Sequence, residues 1–302
     1  MIAVELRLDR GPVLLDGGLS NQLAAAGHRL DGELWSARLL LDDPEALVAA
    51  HRAYVAAGAR VVTTASYQAS FEGFARRGVG RAGAAELFAR SVAVAREATG
   101  PGPGRWVAAS VGPYGAVLAD GSEYRGRYGL TVGELERFHR PRIEALAAAG
   151  PDLLALETVP DTLEAAALLR AVRGAGVPAW LSYTVHGGRT RAGQPLAAAF
   201  ALAAEVDEVV AVGVNCCAPG EVGRAVRLAA RVTGKPVVAY PNSGEGWDGT
   251  GWTGRADGPA RYARDWVAAG ARLVGGCCRV GPDGIAELAA VLGAADPRPA
   301  DG

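Results

Sequence analysis

Short apolar runs alternate with longer stretches of Ala, Leu and Arg at helical spacing along almost the whole chain. The runs cover 13–16, 60–64, 106–111, 153–157, 179–184, 209–214, 236–240 and 271–274. Their nearly continuous apolar character predicts strands buried on both faces, as in a parallel sheet covered by helices. A helix is announced by Asp43-Pro44-Glu45, with proline at an early helical position, and others are predicted at about 80–98, 132–149, 161–173, 196–204, 220–232, 258–269 and 282–292. The segment after the first run reads as a long insertion, and 112–130 as a long loop rich in Gly and Tyr. Eight strands, each followed by a helix, predict an α/β fold, a single (β/α)8 TIM barrel, rather than an open doubly wound sheet. No G-x-G-x-x-G follows an early strand, which argues against a dinucleotide fold.

The chain length of 302 residues suits one such barrel, for which about 250 residues is typical. The barrel domain is expected over 1–293, and 294–302, rich in Pro, Asp and Ala, is expected to be a disordered tail. Basic and acidic residues nearly cancel, 31 against 32, so neither nucleic acid nor an anionic membrane is an expected partner. The opening Met1–Glu5 lacks the basic and apolar regions of a secretory signal, and no apolar run approaches a membrane span. A cytoplasmic protein is expected. Lys235 is the only lysine and stands at the start of the seventh run, the wrong end for a Schiff-base enzyme of this fold.

In such a barrel the reactive groups belong at the carboxyl ends of the strands. Asp16 ends the first run, Glu157 the fourth, Asn215-Cys216-Cys217 the sixth, and Gly275-Gly276-Cys277-Cys278 the eighth. All four groups therefore converge on one rim. The four cysteines form two adjacent pairs, a pattern that suits a soft metal better than a disulfide framework. Three thiolates with one open position make a reactive zinc centre; strand alternation sends Cys217 away from Cys216. Asp16-Gly17-Gly18 is either a strand-ending turn or a cradle in which the carboxylate takes a ligand ammonium and the glycine N–H groups its carboxylate. Glu157 is either a helix cap or a ligand group. The aromatics Trp35, Tyr67, Tyr114, Tyr124 and Trp252 fall on rim loops, as packing or as a ligand surface, and the histidines 28, 51, 139 and 186 have no metal spacing.

These residues resemble the homocysteine S-methyltransferase family through nearly the whole chain. Asp16-Gly17-Gly18 is similar to its first-strand motif, Glu157-Thr158-Val159-Pro160 to its E-T-x-P, Gly213–Cys216 to its G-[IV]-N-C and Gly275–Cys278 to its G-G-C-C. Leu34–Arg38, Thr64–Gln68, Ser110–Arg125 and Tyr240–Glu245 resemble the branch that uses S-methylmethionine or S-adenosylmethionine. The resemblance implies one zinc per chain on Cys216, Cys277 and Cys278, with the homocysteine thiol in the fourth position. It places Asp16, Gly17, Gly18 and Glu157 near the amino-acid end of homocysteine. Asn215, Trp35, Tyr67, Tyr114, Tyr240 and Asn242 are further candidates for substrate binding. Neither cobalamin nor folate is expected, and small molecules are the expected partners of a monomer or small homo-oligomer. Two other readings use the same cysteines: a non-enzymatic zinc or thiol-binding protein, and a methyltransferase for another small thiol or selenol.

Overall fold

A computed structural model describes residues 8, 11–30, 34–247 and 252–293. The expected tail at 294–302 lies outside these residues. Eight parallel strands form the barrel: β1 (Val13–Leu14), β2 (Val61–Thr63), β3 (Trp106–Val111), β4 (Leu153–Val159), β5 (Ala179–Tyr183), β6 (Val209–Asn215), β7 (Val237–Tyr240) and β8 (Ala271–Val274). From β2 to β8 each strand pairs in parallel with the next, and β8 pairs with β1. A parallel bridge between Leu15 and Val61 closes the ring.

The interior is filled by alternate strand residues. Val13, Leu15, Val61, Ala108, Leu153, Ala155, Trp180, Ala211, Val238, Tyr240 and Leu273 form one buried cluster, in which small Ala108, Ala155 and Ala211 leave room for the indole of Trp180. The other strand face packs on the helices in a second, larger cluster. That two-sided burial accounts for the unbroken apolar runs.

The local signals act where they stand. Asp43 caps the helix Pro44–Ala56 by accepting from the Ala46 amide. Thr131 and Glu134 form a reciprocal capping box at the start of Val132–Ala148. Gly234, at φ +66°, ends Pro219–Thr233 in the left-handed region.

The expected helix at 196–204 is shorter, Leu196–Ala201, and that at 258–269 is a 3-10 turn, Pro259–Arg261, followed by Ala263–Ala268. The rim loops hold more structure than their glycines suggest. Helix Leu19–Ala25 follows β1, helix Tyr114–Leu118 follows β3, and small hairpins follow β5 (Val185–His186 with Arg189–Thr190) and β7 (Gly246–Trp247 with Trp252–Thr253). Among the described residues, no helix is long and apolar enough to cross a membrane.

Candidate active site

The carboxyl rim opens into a cavity of about 160 Å³ whose lining includes Gly17, Gly18, Trp35, Thr63, Thr64, Tyr67, Ser110, Tyr124, Glu157, Thr158, Cys216, Tyr240, Trp252, Cys277 and Cys278. The sulfurs of Cys216, Cys277 and Cys278 all lie within 4.8 Å of one another, with Cys216 and Cys278 at 3.5 Å. Tetrahedral zinc at about 2.3 Å from each sulfur spaces them by roughly 3.8 Å, so the three can hold one ion. Hydrogen bonds from the Cys216 and Cys277 thiols draw the Cys278 sulfur well below the usual thiol range; hydrogen bonding to Cys216 and Cys278, with burial, pushes Cys277 well above it. A coordinated cation would favour the deprotonated form of all three. Cys217 points elsewhere, into the apolar layer between barrel and helices.

The end of β7 fixes the spacing between the two cysteine loops. Cys216 donates its amide to the Tyr240 carbonyl at 3.1 Å, and the Asn242 amide donates to the Cys217 carbonyl at 2.9 Å. On the other side, Cys277 donates to the Pro241 carbonyl at 2.6 Å, Cys278 to the Asn242 side-chain oxygen at 3.2 Å, and Ser243 to the Cys278 carbonyl at 3.0 Å. Asn242 therefore works as a spacer between thiol loops and is not part of the cavity lining. The glycines serve close packing. A Cβ at Gly276 would stand 2.3 Å from Val280, one at Gly275 2.6 Å from Leu15, and one at Gly17 2.3 Å from the Val280 carbonyl.

The opposite wall comes from β2, β3 and β4. Glu157 reaches the cavity with Ser110 donating its hydroxyl to the carboxylate, and burial pushes the carboxyl up to about 8. Ser66 donates to the Ser110 carbonyl at 2.7 Å, and the Ser110 amide donates to Thr64 Oγ1 at 3.1 Å. Tyr67 is pinned from behind by Arg142, whose buried guanidinium donates to the Tyr67 carbonyl at 2.9 Å and the Gly112 carbonyl at 3.1 Å. Thr158, Cys216, Trp35 and Arg279, all on this rim, adopt φ between +46° and +65°. Such values are costly for residues with a Cβ and mark a rim held by its surroundings. For Thr158 the holder is Asn215, whose side chain accepts from the Thr158 amide at 2.7 Å and donates to its hydroxyl at 2.8 Å.

Several sequence expectations change place here. Asp16 is fully buried below the cavity, not in its lining, and its carboxylate accepts from the Thr63 amide at 2.7 Å, the Thr63 hydroxyl and the Tyr240 hydroxyl. Burial raises it to about 7, and these bonds oppose the rise. In this structure its partners are Thr63 and Tyr240, which it orients at the cavity wall. The Gly18 amide donates to the Val280 carbonyl at 2.9 Å, and both Gly17 and Gly18 line the cavity. Asn215 braces the Thr158 turn, and Tyr114 packs edge-on against Tyr128 and Phe138; neither lines the cavity. Trp35, Tyr67, Tyr124, Tyr240 and Trp252 do line it. Sequence reasoning missed Thr63, Thr64, Ser110 and Arg142. The strand-end position of the first three was the available signal; Arg142 offered none.

The homocysteine S-methyltransferase family model matches residues 13–292, almost the entire barrel. The chain belongs to the homocysteine S-methyltransferase family. A homocysteine S-methyltransferase of Escherichia coli K12 is 44% identical over 92% of this chain and 94% of its own. YbgG of Bacillus subtilis, also a homocysteine S-methyltransferase, is 41% identical over 94% of this chain and 95% of its own. The crystal structure of the metallated form of the E. coli homocysteine methyltransferase MmuM superposes with a TM-score of 0.85 at 42% identity, covering 95% of this chain and 99% of that one. Family membership and the parallel eight-stranded barrel agree. Lys235 lies at the amino end, its ammonium bound to the Val206 and Val209 carbonyls, outside any Schiff-base chemistry on this rim.

Proposed function

We propose that this protein transfers a methyl group from a sulfonium donor, S-methylmethionine or S-adenosylmethionine, to the thiol of L-homocysteine, giving methionine. The three-sulfur cluster opening into the cavity carries this reading, and the family membership names the acceptor. Zinc, one per chain on Cys216, Cys277 and Cys278, would supply a Lewis acid that keeps the acceptor sulfur deprotonated near neutral pH. Three soft donors within 4.8 Å of one another support it, as does the metallated form of MmuM.

The residues of the chain do the rest. Glu157, buried and held by Ser110, receives the ammonium of homocysteine; the arriving cation stabilises its carboxylate against the burial that raises it. Trp35, Tyr67 and Trp252 form an aromatic surface for the sulfonium. The acceptor sulfur attacks the methyl carbon in line, the carbon–sulfur bond of the donor breaks, and its electron pair stays on a neutral thioether. The acceptor's thiol proton passes to solvent. No general acid is required, so placement carries the rate; well-oriented reactants gain about 7–11 kcal/mol in this way. With S-methylmethionine both products are methionine. The reading makes the protein a cytoplasmic enzyme of small molecules, monomeric or a small homo-oligomer.

The test is mass spectrometry of methionine formed from homocysteine and a donor with a deuterated methyl group. Labelled methionine in proportion to homocysteine consumed is expected. Stoichiometric metal with no labelled methionine would favour a metal or thiol-binding protein instead.

A further inference from the structure

The Tyr124 hydroxyl stands 3.1 Å from the Cys216 sulfur, and nothing in the proposed reaction uses it. Tyr124 sits in a short 3-10 turn, Ser122–Tyr124, on the loop after β3, far in sequence from both cysteine loops. The loop is fastened at several points to the residues just beyond the hairpin that follows β5. Arg191 donates from Nε to the Tyr124 carbonyl at 3.0 Å, and its guanidinium lies 5.7 Å from the Tyr124 ring centre. Arg127 donates from Nε and a terminal nitrogen to the Ala192 carbonyl at 3.1 and 2.6 Å, and the Ala192 amide returns to the Pro160 carbonyl. Gly126, at φ +65°, lets the turn press on Asp161, which accepts from the Arg127 amide at 3.0 Å. Thr184, just before the hairpin, donates to the Cys216 carbonyl at 3.1 Å. The segment after β5 thus reaches Cys216 by two routes, directly through Thr184 and indirectly through Arg191 and Tyr124.

We infer that Tyr124 is a positioning residue of the thiol cluster: its hydroxyl donates to the Cys216 sulfur, and Arg191, just beyond the β5 hairpin, keeps it there. The inference rests on the metal reading of the cluster. A coordinating thiolate can only accept, and a phenol is the natural donor to it. The bond draws electron density from Cys216 and fixes the side chain of a residue already held at φ +51°. Groups that orient a metal's ligands change its affinity about 10–100-fold when removed.

Cobalt(II) binding to the intact protein tests this, with Tyr124→Phe and Arg191→Ala compared with wild type. Phe keeps the ring, and Arg191 is exposed, so both variants keep the fold. Wild type is expected to bind one equivalent with a sulfur-to-cobalt charge-transfer band. In Tyr124→Phe that band should move to lower energy, because an unbonded thiolate is easier to oxidise, and affinity measured by chelator competition should fall about tenfold. Arg191→Ala should move the band the same way by less, and should add nothing in the Tyr124→Phe background. Wild-type band position and affinity in Tyr124→Phe would overturn the inference while leaving the cluster intact. An undiminished Arg191→Ala effect in the double variant would overturn the link between the two residues. Failure of wild type to bind cobalt would overturn the metal reading and this inference together.

Discussion

The two walls of the cavity are built by different means. The thiol wall, from β6, β7 and β8, is fixed mainly by backbone: carbonyl and amide pairs between neighbouring loops, with glycines where chains must touch. The opposite wall, from β2, β3 and β4, is fixed by side chains: Thr64, Ser66, Ser110 and Glu157 in one chain of bonds, with Arg142 behind Tyr67. Backbone scaffolding sets sulfur positions closely, which a metal's coordination geometry demands. A hydroxyl network can rotate and adjust, which suits flexible organic substrates.

The largest effect should come from the thiol wall. Cys277→Ser or Cys278→Ser is expected to lose bound metal and methyl transfer together. Removing a group that only orients a ligand already costs about 10–100-fold in affinity, so loss of a ligand should exceed 100-fold. Metal content after dialysis, read beside turnover, checks this; a Cys277→Ser protein active without metal would break the comparison at its root.

Glu157→Gln should act on the other wall alone. Homocysteine affinity should fall by about 2–5 kcal/mol, the range for a buried charge left without its partner, while metal content holds. Isothermal titration with homocysteine separates the two. This variant also has a pH signature. Burial raises the folded-state value of Glu157 from 4.5 to about 8, so between those values the folded protein holds a proton that the unfolded chain has released. Stability therefore falls as pH rises through that window, and Glu157→Gln should flatten the decline in Tm. An equally steep decline would mean that Glu157 is not the group responsible.

Asp16→Asn sharpens the contrast further. An amide facing the Thr63 and Tyr240 donors leaves one of them unsatisfied, at about 1–3 kcal/mol in urea unfolding, with metal still bound. Loss of homocysteine affinity with stability unchanged would assign Asp16 a direct role at the ammonium instead. The smallest effect is expected from Cys217→Ala. Removing a small buried apolar group should cost about 1 kcal/mol and leave metal stoichiometry untouched, since Cys217 packs in the outer apolar layer. Loss of metal in this variant would make Cys217 a ligand.

How legible each wall was in the sequence follows from how it is built. The strands announced themselves because two-sided burial leaves apolar runs, and the barrel rule then sent Cys216, Glu157, Cys277 and Cys278 to one rim before any coordinates. Asp16 and Asn215 were located on that rim, but their protein partners, Thr63 with Tyr240 and Thr158, were not foreseen. Strand-end position does not say whether a polar side chain faces the cavity or the loop beneath it. Asn242 was expected at the substrate; its bond to the Cys278 amide depends on how two loops from different strands meet, which no local pattern shows. Arg142 could not be found at all: it lies within a helix, and only tertiary contact brings its guanidinium to the Tyr67 loop.

The central claim is that three sulfurs of the chain hold one zinc and leave a place for the sulfur of homocysteine. X-ray absorption at the zinc edge, on protein with and without homocysteine, tests it most directly. The account predicts three sulfur neighbours at about 2.3 Å in the free enzyme and four once homocysteine binds. A sulfur count that stays the same on adding saturating homocysteine would contradict it.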